Sequence, residues 1–340
     1  MCTAAHAADV FFCDAFRRRR FFDCKESGMI TIYKSIDGKL TTVDRIEDNT
    51  WVNVIRPNER ELQELSEETG IPIDFLADPL DIDERARIEM ENGALLVVLH
   101  TPVRNEEEDM DDVPFTTLPV GVIIKDRFIV TVCLKPNDII EHFALSRVKN
   151  FRLHDRSRFA IQLFHHTAVL FLKHLKEINR KTNQLETELH KSMRNEVLIK
   201  LLNIEKSLVY FMTSVRANEI IMTRLQRGDI IDLNEVEKDL LEDTVTENLQ
   251  AIHMTKIYSN ILSGMMDAFA SVISNNLNVV MKFLTAVTII LQIPILIASV
   301  YGMNIELPLQ HNLYAFTILG GCSIILSLFG VWIFIKKKWI

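Results

Sequence analysis

Tyr301-Gly302-Met303-Asn304 lies between two long apolar runs, Leu284 to Val300 and Tyr314 to Ile335, near the C-terminal end of a 340-residue chain. Each run approaches the ~20 residues that a helix needs to cross hydrocarbon. A short polar turn between two spans is a place where a narrow pore mouth can be built. The sequence therefore points to a membrane ion-transport subunit and away from a soluble enzyme.

Working back from that turn, no strong helix breaker separates Leu233 from Gly264, and the pattern predicts one helix running on through Gly264 to about Gly302. Two stripes run along it. Val245, Ile252, Met266, Ile273, Val280 and Val287 fall on one ladder of sevens, with Leu249, Leu277, Leu284 and Leu291 on a neighbouring one. Together they make the apolar seam of a helix packed along other helices. Ser271, Asn278, Thr285, Gln292 and Ser299 are also spaced by sevens, with Asp267, Ser274 and Thr288 on the adjoining row. Polar groups at hydrocarbon depth face a bundle interior or water, because lipid cannot satisfy them. The second stripe is thus what a pore wall requires, although Ser and Thr can also bond back to their own helix. One chain offers one such stripe, so a pore needs several copies around an axis. Pro294 is expected to loosen the helix and free a carbonyl near the pore.

The basic residues orient the spans. Lys282 precedes the first and Lys336, Lys337 and Lys338 follow the second, whereas the loop Ile305 to Asn312 has no Lys or Arg. The positive-inside rule places both large ends in the cytoplasm and the Gly-Met-Asn turn outside. This predicts a multi-pass plasma-membrane protein in contact with lipid.

Upstream, residues 1–28 form an expected disordered extension carrying three of the five cysteines and the run Arg17 to Arg20. The cysteines make no C-x-x-C pair, which fits a reducing compartment and disfavours a zinc knuckle. A net charge of -8 argues against a nucleic-acid partner. Residues 29–150 mix strands (from Met29, Trp51 to Ile55, Ala94 to His100, Val120 to Ile124, Arg127 to Leu134) with a helix from Glu59 to Thr69, and predict a cytosolic α/β domain. Residues 151–230 predict a helical hairpin of Phe159 to Lys191 and Asn195 to Gln226. The remaining divisions are a stalk helix continuing into the first span at 231–302, an extracellular loop at 303–313, a second span at 314–335 and a basic cytosolic tail at 336–340. The fold class is α+β.

The Tyr-Gly-Met-Asn turn between C-terminal spans, the stretch Met281-Lys282-Phe283-Leu284-Thr285 and the closing Lys337-Lys338-Trp339 resemble the CorA superfamily of divalent-cation transporters. The resemblance is specific over about residues 264–340 and agrees in order of elements upstream. It implies a homopentameric funnel with five first spans around a pore and with magnesium as both the transported ion and a regulatory ligand. Gly302, Met303 and Asn304 would form the selectivity filter. Asn278, Leu284, Gln292 and Ser299 match pore-facing positions, and Asp267 an acidic ring near the inner end. Asp243 falls where the family places a carboxylate for cytosolic magnesium. Two departures stand out: the loop after the motif reads Ile305-Glu306-Leu307-Pro308-Leu309 with a single acid, and the helix from Phe159 to Lys176 is poor in carboxylates.

Magnesium releases its water reluctantly. A neutral ring of Asn304 side chains can hold the hydrated ion, while conduction requires sites weak enough to leave. Glu306 can concentrate cations at the outer mouth. Met281 and Leu284 can gate by dewetting, with Thr285 and Thr288 lining the same wall. The acidic run 106–112, with Asp109 and Asp111, is a second candidate for regulatory metal. His165, His166 and His174 lack a zinc-ligand pattern and read as satisfied helix histidines. No G-x-x-x-x-G-K-[ST] loop is present, so the membrane potential is the expected driving force. Two alternatives stand beside magnesium uptake: a zinc, cobalt or nickel transporter of the same superfamily coupled to protons, and a membrane-tethered scaffold.

Overall fold

The computed structural model describes residues 29–36, 39–105, 113–148, 151–191, 194–228, 230, 233–303, 307–308, 314–337 and 339. Two compact units emerge, divided between Leu262 and Ser263. In the first, strands β1 (Met29–Ile36), β2 (Lys39–Val43), β3 (Thr50–Ile55), β4 (Arg87–Glu91), β5 (Ala94–Arg104), β6 (Phe115–Lys125) and β7 (Phe128–Cys133) build one sheet. Its order is β2-β1-β3-β7-β6-β5-β4, and the β3–β7 pair is parallel while the others are antiparallel.

Period-two alternation sends side chains to opposite faces. Ala94, Leu96 and Val98 enter one core with Val52, Val54, Val130 and Val132. There they meet α1 (Glu59–Thr69) and α2 (Ile73–Ala77) through Leu62, Leu65, Phe75 and Leu76. Leu95, Val97 and Leu99 enter the other core with Trp51 and Ile129, against α3 (Asp138–Ala144), α4 (Arg156–Lys191) and α5 (Asn195–Gln226). Burying both faces gives the sheet its nearly continuous apolar strands. Helix α1 starts in a capping box, Asn58 Oδ1 accepting from the Glu61 amide while Glu61 reaches back to the Asn58 amide.

The sequence pattern anticipated β1, β3, β5, β6 and β7, but not β2 or β4, which are the two edges and carry few buried residues. Strand β6 also runs past Pro119. Its pairing with β7 begins at Val120, so at Pro119 only β5 lies opposite, through His100. Strand β4 ends its pairing at Val98, and beyond that the β5 backbone meets a side chain instead. Asn218 of α5 takes both groups of His100, accepting from its amide at 2.9 Å and donating to its carbonyl at 2.8 Å. This tie joins the helical hairpin to the sheet.

Helix α6 (Glu235–Tyr301) is a single uninterrupted element of 67 residues, and α7 (Ala315–Lys336) follows. A second capping box opens α6, with Asn234 and Glu237 exchanging hydrogen bonds of 3.0 Å. Both α6 and α7 contain apolar stretches long enough to cross a membrane, with mean hydropathy 2.3 and 2.4 over 18 residues.

Candidate functional site

In the second unit, α7 covers one face of α6. Ala286 is fully buried, Ile290 and Ile293 lie nearest Gly330 of α7, and Ile297 is half-buried. A Cβ at Gly330 would lie 3.7 Å from Ile290 Cγ1 and 3.8 Å from Ile293 Cδ1, an ordinary contact, so the glycine marks where the two helices touch without being required there. At 100° per residue, the positions Ala286, Ile290, Ile293 and Ile297 cluster on one side of α6, and Gln292 stands about 130° from their mean direction.

The polar stripe is turned away from α7. Asp267, Ser271, Ser274, Asn278, Thr285, Thr288, Gln292 and Ser299 are all exposed in the single chain, as are Met281 and Leu284. Two of the hydroxyls bond back to the helix: Ser271 Oγ donates to the Asp267 carbonyl at 3.0 Å and Thr288 Oγ1 to the Leu284 carbonyl at 2.8 Å. This does not silence them. A hydroxyl that gives its proton to the helix presents only lone pairs outward, and the hydrogens of a cation's water shell need acceptors. The apolar seam is covered at Ile252 but open at Ile273, Leu277, Val280, Leu284 and Leu291, which are 40–62% exposed. That is a large apolar surface left open in the single chain.

Pro294 leaves α6 continuous. The carbonyl that loses its amide partner is that of Ile290, four residues earlier. Ile290 and Pro294 lie across the helix from Gln292, on the side toward α7, so the expectation of a freed carbonyl at the polar stripe is not met. Helical bonding continues into the turn, with the Gly302 amide donating to the Ala298 carbonyl at 2.9 Å and the Met303 amide to the Val300 carbonyl at 3.3 Å. Gly302 is not among the positive-φ residues, and a Cβ there would sit 3.3 Å from the Ala298 carbonyl oxygen, a tight contact with the preceding helical turn. Tyr301 Oη donates to the Pro308 carbonyl at 3.1 Å and ties the end of α6 to the following loop. Asn304 and Glu306 lie outside the described residues, as do Asp109 and Asp111.

Asp243 is exposed on α6, and among the described residues no group of three or more His, Cys, Asp and Glu side chains is placed to hold a metal. The sequence reading had the histidines of α4 as satisfied; the structure pairs His174 Nδ1 with Glu177 Oε2 at 3.6 Å, while the buried Nδ1 of His165 lacks a hydrogen-bond partner. Burial lowers the affinity of His166 and His174 for protons, as it does for His100.

The family described as CorA-like Mg2+ transporter protein matches residues 47–337. The cobalt/magnesium transport protein CorA of Methanocaldococcus jannaschii is 28% identical over 295 residues, covering 85% of this chain and 91% of that protein. That of Thermotoga maritima is 23% identical over 300 residues, with 86% and 83% covered. The complete structure of the CorA magnesium transporter from M. jannaschii superimposes with a TM-score of 0.78 at 26% identity, covering 92% of this chain and 99% of that one. The ZntB cytoplasmic domain from Vibrio parahaemolyticus shares the fold alone, with a TM-score of 0.58 at 12% identity over 74% of this chain and 100% of that one.

Proposed function

Because the chain belongs to the CorA-like Mg2+ transporter family, whose members are transporters and not enzymes, we propose that it carries divalent cations, magnesium first, into the cell through a homopentameric channel. The observation that carries this reading is the exposed polar stripe of α6, in which Gln292 stands about 130° from the face that α7 occupies. Lipid gives such a face no hydrogen bonds, whereas a central water column shared by several copies does. Asn278, Thr285, Thr288, Gln292 and Ser299 line the column, Asp267 stands at its inner end, and Met281 and Leu284 supply an apolar constriction. At the outer mouth the turn at Gly302, Met303 and Asn304 holds the hydrated ion through neutral oxygens, and Glu306 raises the local cation concentration.

The protein sits in the plasma membrane with both termini in the cytoplasm, Lys282, Lys336 and Lys337 marking the inner side. A divalent ion moving inward gains about 4.6 kcal/mol per 100 mV, twice the single-charge value, which drives uptake without nucleotide hydrolysis. The relative's name supports cobalt as a second cargo. Asp243, Asp109 and Asp111 are the carboxylates that would bind regulatory magnesium from the cytoplasm.

The test is uptake into liposomes holding the purified protein, with magnesium, cobalt or zinc outside and with or without a pH gradient. Potential-driven magnesium influx that ignores the pH gradient is the expected result. Zinc influx that needs the gradient would transfer the assignment to a proton-coupled transporter, and no influx of any metal would leave a tethered scaffold.

A further inference from the structure

Past Asp267 the only carboxylate side chain in the sequence is that of Glu306, whereas Lys282, Lys336 and Lys337 stand at one end of the two apolar helices. All three lysines are exposed. Asp267 lies about 22 Å along α6 on one side of Lys282, and Tyr301, which ends α6 before Glu306, lies about 28 Å on the other. The lysines therefore carry a charge that their own part of the chain does not neutralise.

The three also converge. Helices α6 and α7 run antiparallel, with Gly330 against Ile290 and Ile293. From that contact Lys282 lies about 14 Å toward the start of α6, and Lys336 and Lys337 lie about 9–11 Å toward the end of α7. All three thus fall within about one helical turn of the same level. At 100° per residue, Lys282 stands about 50° from the side of α6 that faces α7, and Lys336 and Lys337 stand about 120° and 20° from the Gly330 direction of α7. In an antiparallel pair these rotations carry all three to the same flank. Phe329 stands about 100° round the same way. Its ring stacks on Trp332 at 5.9 Å, and the Lys336 ammonium lies over the Trp332 ring at 5.2 Å.

We propose that this flank binds the headgroup of an anionic phospholipid in the cytoplasmic leaflet. Each lysine closes the end of an apolar span, which is the level where headgroup phosphates lie. A second copy cannot neutralise them, because copies related by rotation about the bilayer normal bring the same lysines to the same depth and no carboxylate. A lipid phosphate can, and an ammonium serves it as a compact point charge. A zwitterionic headgroup offers the same phosphate but carries its own ammonium, which the lysines repel. Trp332 is suited to the interface by its amphipathic ring, and the exposed Phe329 and Ile325 give the acyl chains an apolar bed. The site needs α6 and α7 to span a bilayer, as the transport reading does, and needs nothing of what the copies conduct.

Quenching of tryptophan fluorescence by lipids brominated on an acyl chain tests the site in the full chain, reconstituted into phosphatidylcholine vesicles. Brominated phosphatidylglycerol is compared with brominated phosphatidylcholine at equal mole fraction, and the difference between the unaltered protein and Trp332→Phe isolates the Trp332 signal. Phosphatidylglycerol is expected to be favoured at Trp332 by at least about tenfold. Lys337→Gln should lower that preference about fivefold, and Lys282→Gln with Lys336→Gln and Lys337→Gln should abolish it. Lys256→Gln, at an exposed lysine earlier on α6, should leave it intact. Equal quenching by the two lipids overturns the site and leaves the spans in the bilayer; quenching by neither overturns the spans as well. A preference that survives the triple change, or that falls as far with Lys256→Gln, also overturns the site.

Discussion

Gln292→Leu separates a pore wall from a membrane tether. Gln292 is exposed, and nine residues of helix place it about 180° from Phe283, which is also exposed and lies near the side that α7 covers. Replacing the amide with an isobutyl group removes its carbonyl oxygen as an acceptor for a passing ion's water. Each such hydrogen bond is worth about 0.5–1.5 kcal/mol net. If two amides of the proposed ring engage the hydrated ion at once, the barrier rises by about 1–3 kcal/mol, which is roughly a 5- to 160-fold loss of flux. Loss of wetting at the new leucine ring adds to this. The assay is magnesium influx into liposomes under an imposed potential, read with an internal fluorescent indicator and normalised to reconstituted oligomer. Gln292→Asn should keep part of the flux, and Phe283→Leu should keep nearly all of it. If Gln292→Leu transports like the unaltered protein, or if Phe283→Leu loses as much, the polar stripe does not face the ion.

Three further outcomes follow from particular contacts. Gly302→Ala puts a methyl 3.3 Å from the Ala298 carbonyl oxygen and 3.5 Å from that of Ser299, so flux should fall several-fold while gel filtration shows the oligomer unchanged. Gly121→Ala places a Cβ 2.3 Å from Pro79 Cγ; this overpacking should cost about 1–3 kcal/mol and lower the thermal midpoint. Burial holds the imidazoles of His100, His166 and His174 below their ordinary value of 6.5. The unfolded chain therefore binds protons that the folded one refuses, so their contribution to stability is complete above that value and is lost as pH falls through it toward the folded values. Melting scans between about pH 7.5 and 5.5 should show a falling midpoint, and a midpoint that rises on acidification would contradict the burial argument.

The helices were the most legible part of the fold, and for a physical reason. The hairpin and stalk carry long stretches without Gly or Pro, so the sequence located α4, α5 and α6 to within a few residues. The central strands were legible from apolar runs, because both faces of the sheet are buried. Strands β2 and β4 were not, since an edge strand buries little and so shows little pattern. Asn218 was invisible for a different reason. In sequence it is one more polar residue on a helix, and only the early end of β4 pairing exposes the β5 backbone that it satisfies.

The stripe itself carries a further constraint that no single chain expresses. From Ser271 to Ser299 it spans 28 residues, about 42 Å at 1.5 Å per residue, which is longer than the ~30 Å hydrocarbon core. An ideal helix drifts about 20° per heptad against a strict seven-residue repeat, hence about 80° over this stretch. Five straight helices standing parallel to an axis would therefore rotate the upper or lower part of the stripe out of the wall. The apolar seam drifts in the same sense, because Ile273, Val280 and Val287 keep the same stride. Both drifts are cancelled when the copies wind around the axis with a left-handed inclination of about 20°. An assembled structure should show that inclination over residues 271–299, with Asn278 and Gln292 both facing the axis. Copies standing upright, with one of those two amides turned into lipid, would break the wall that the transport reading depends on.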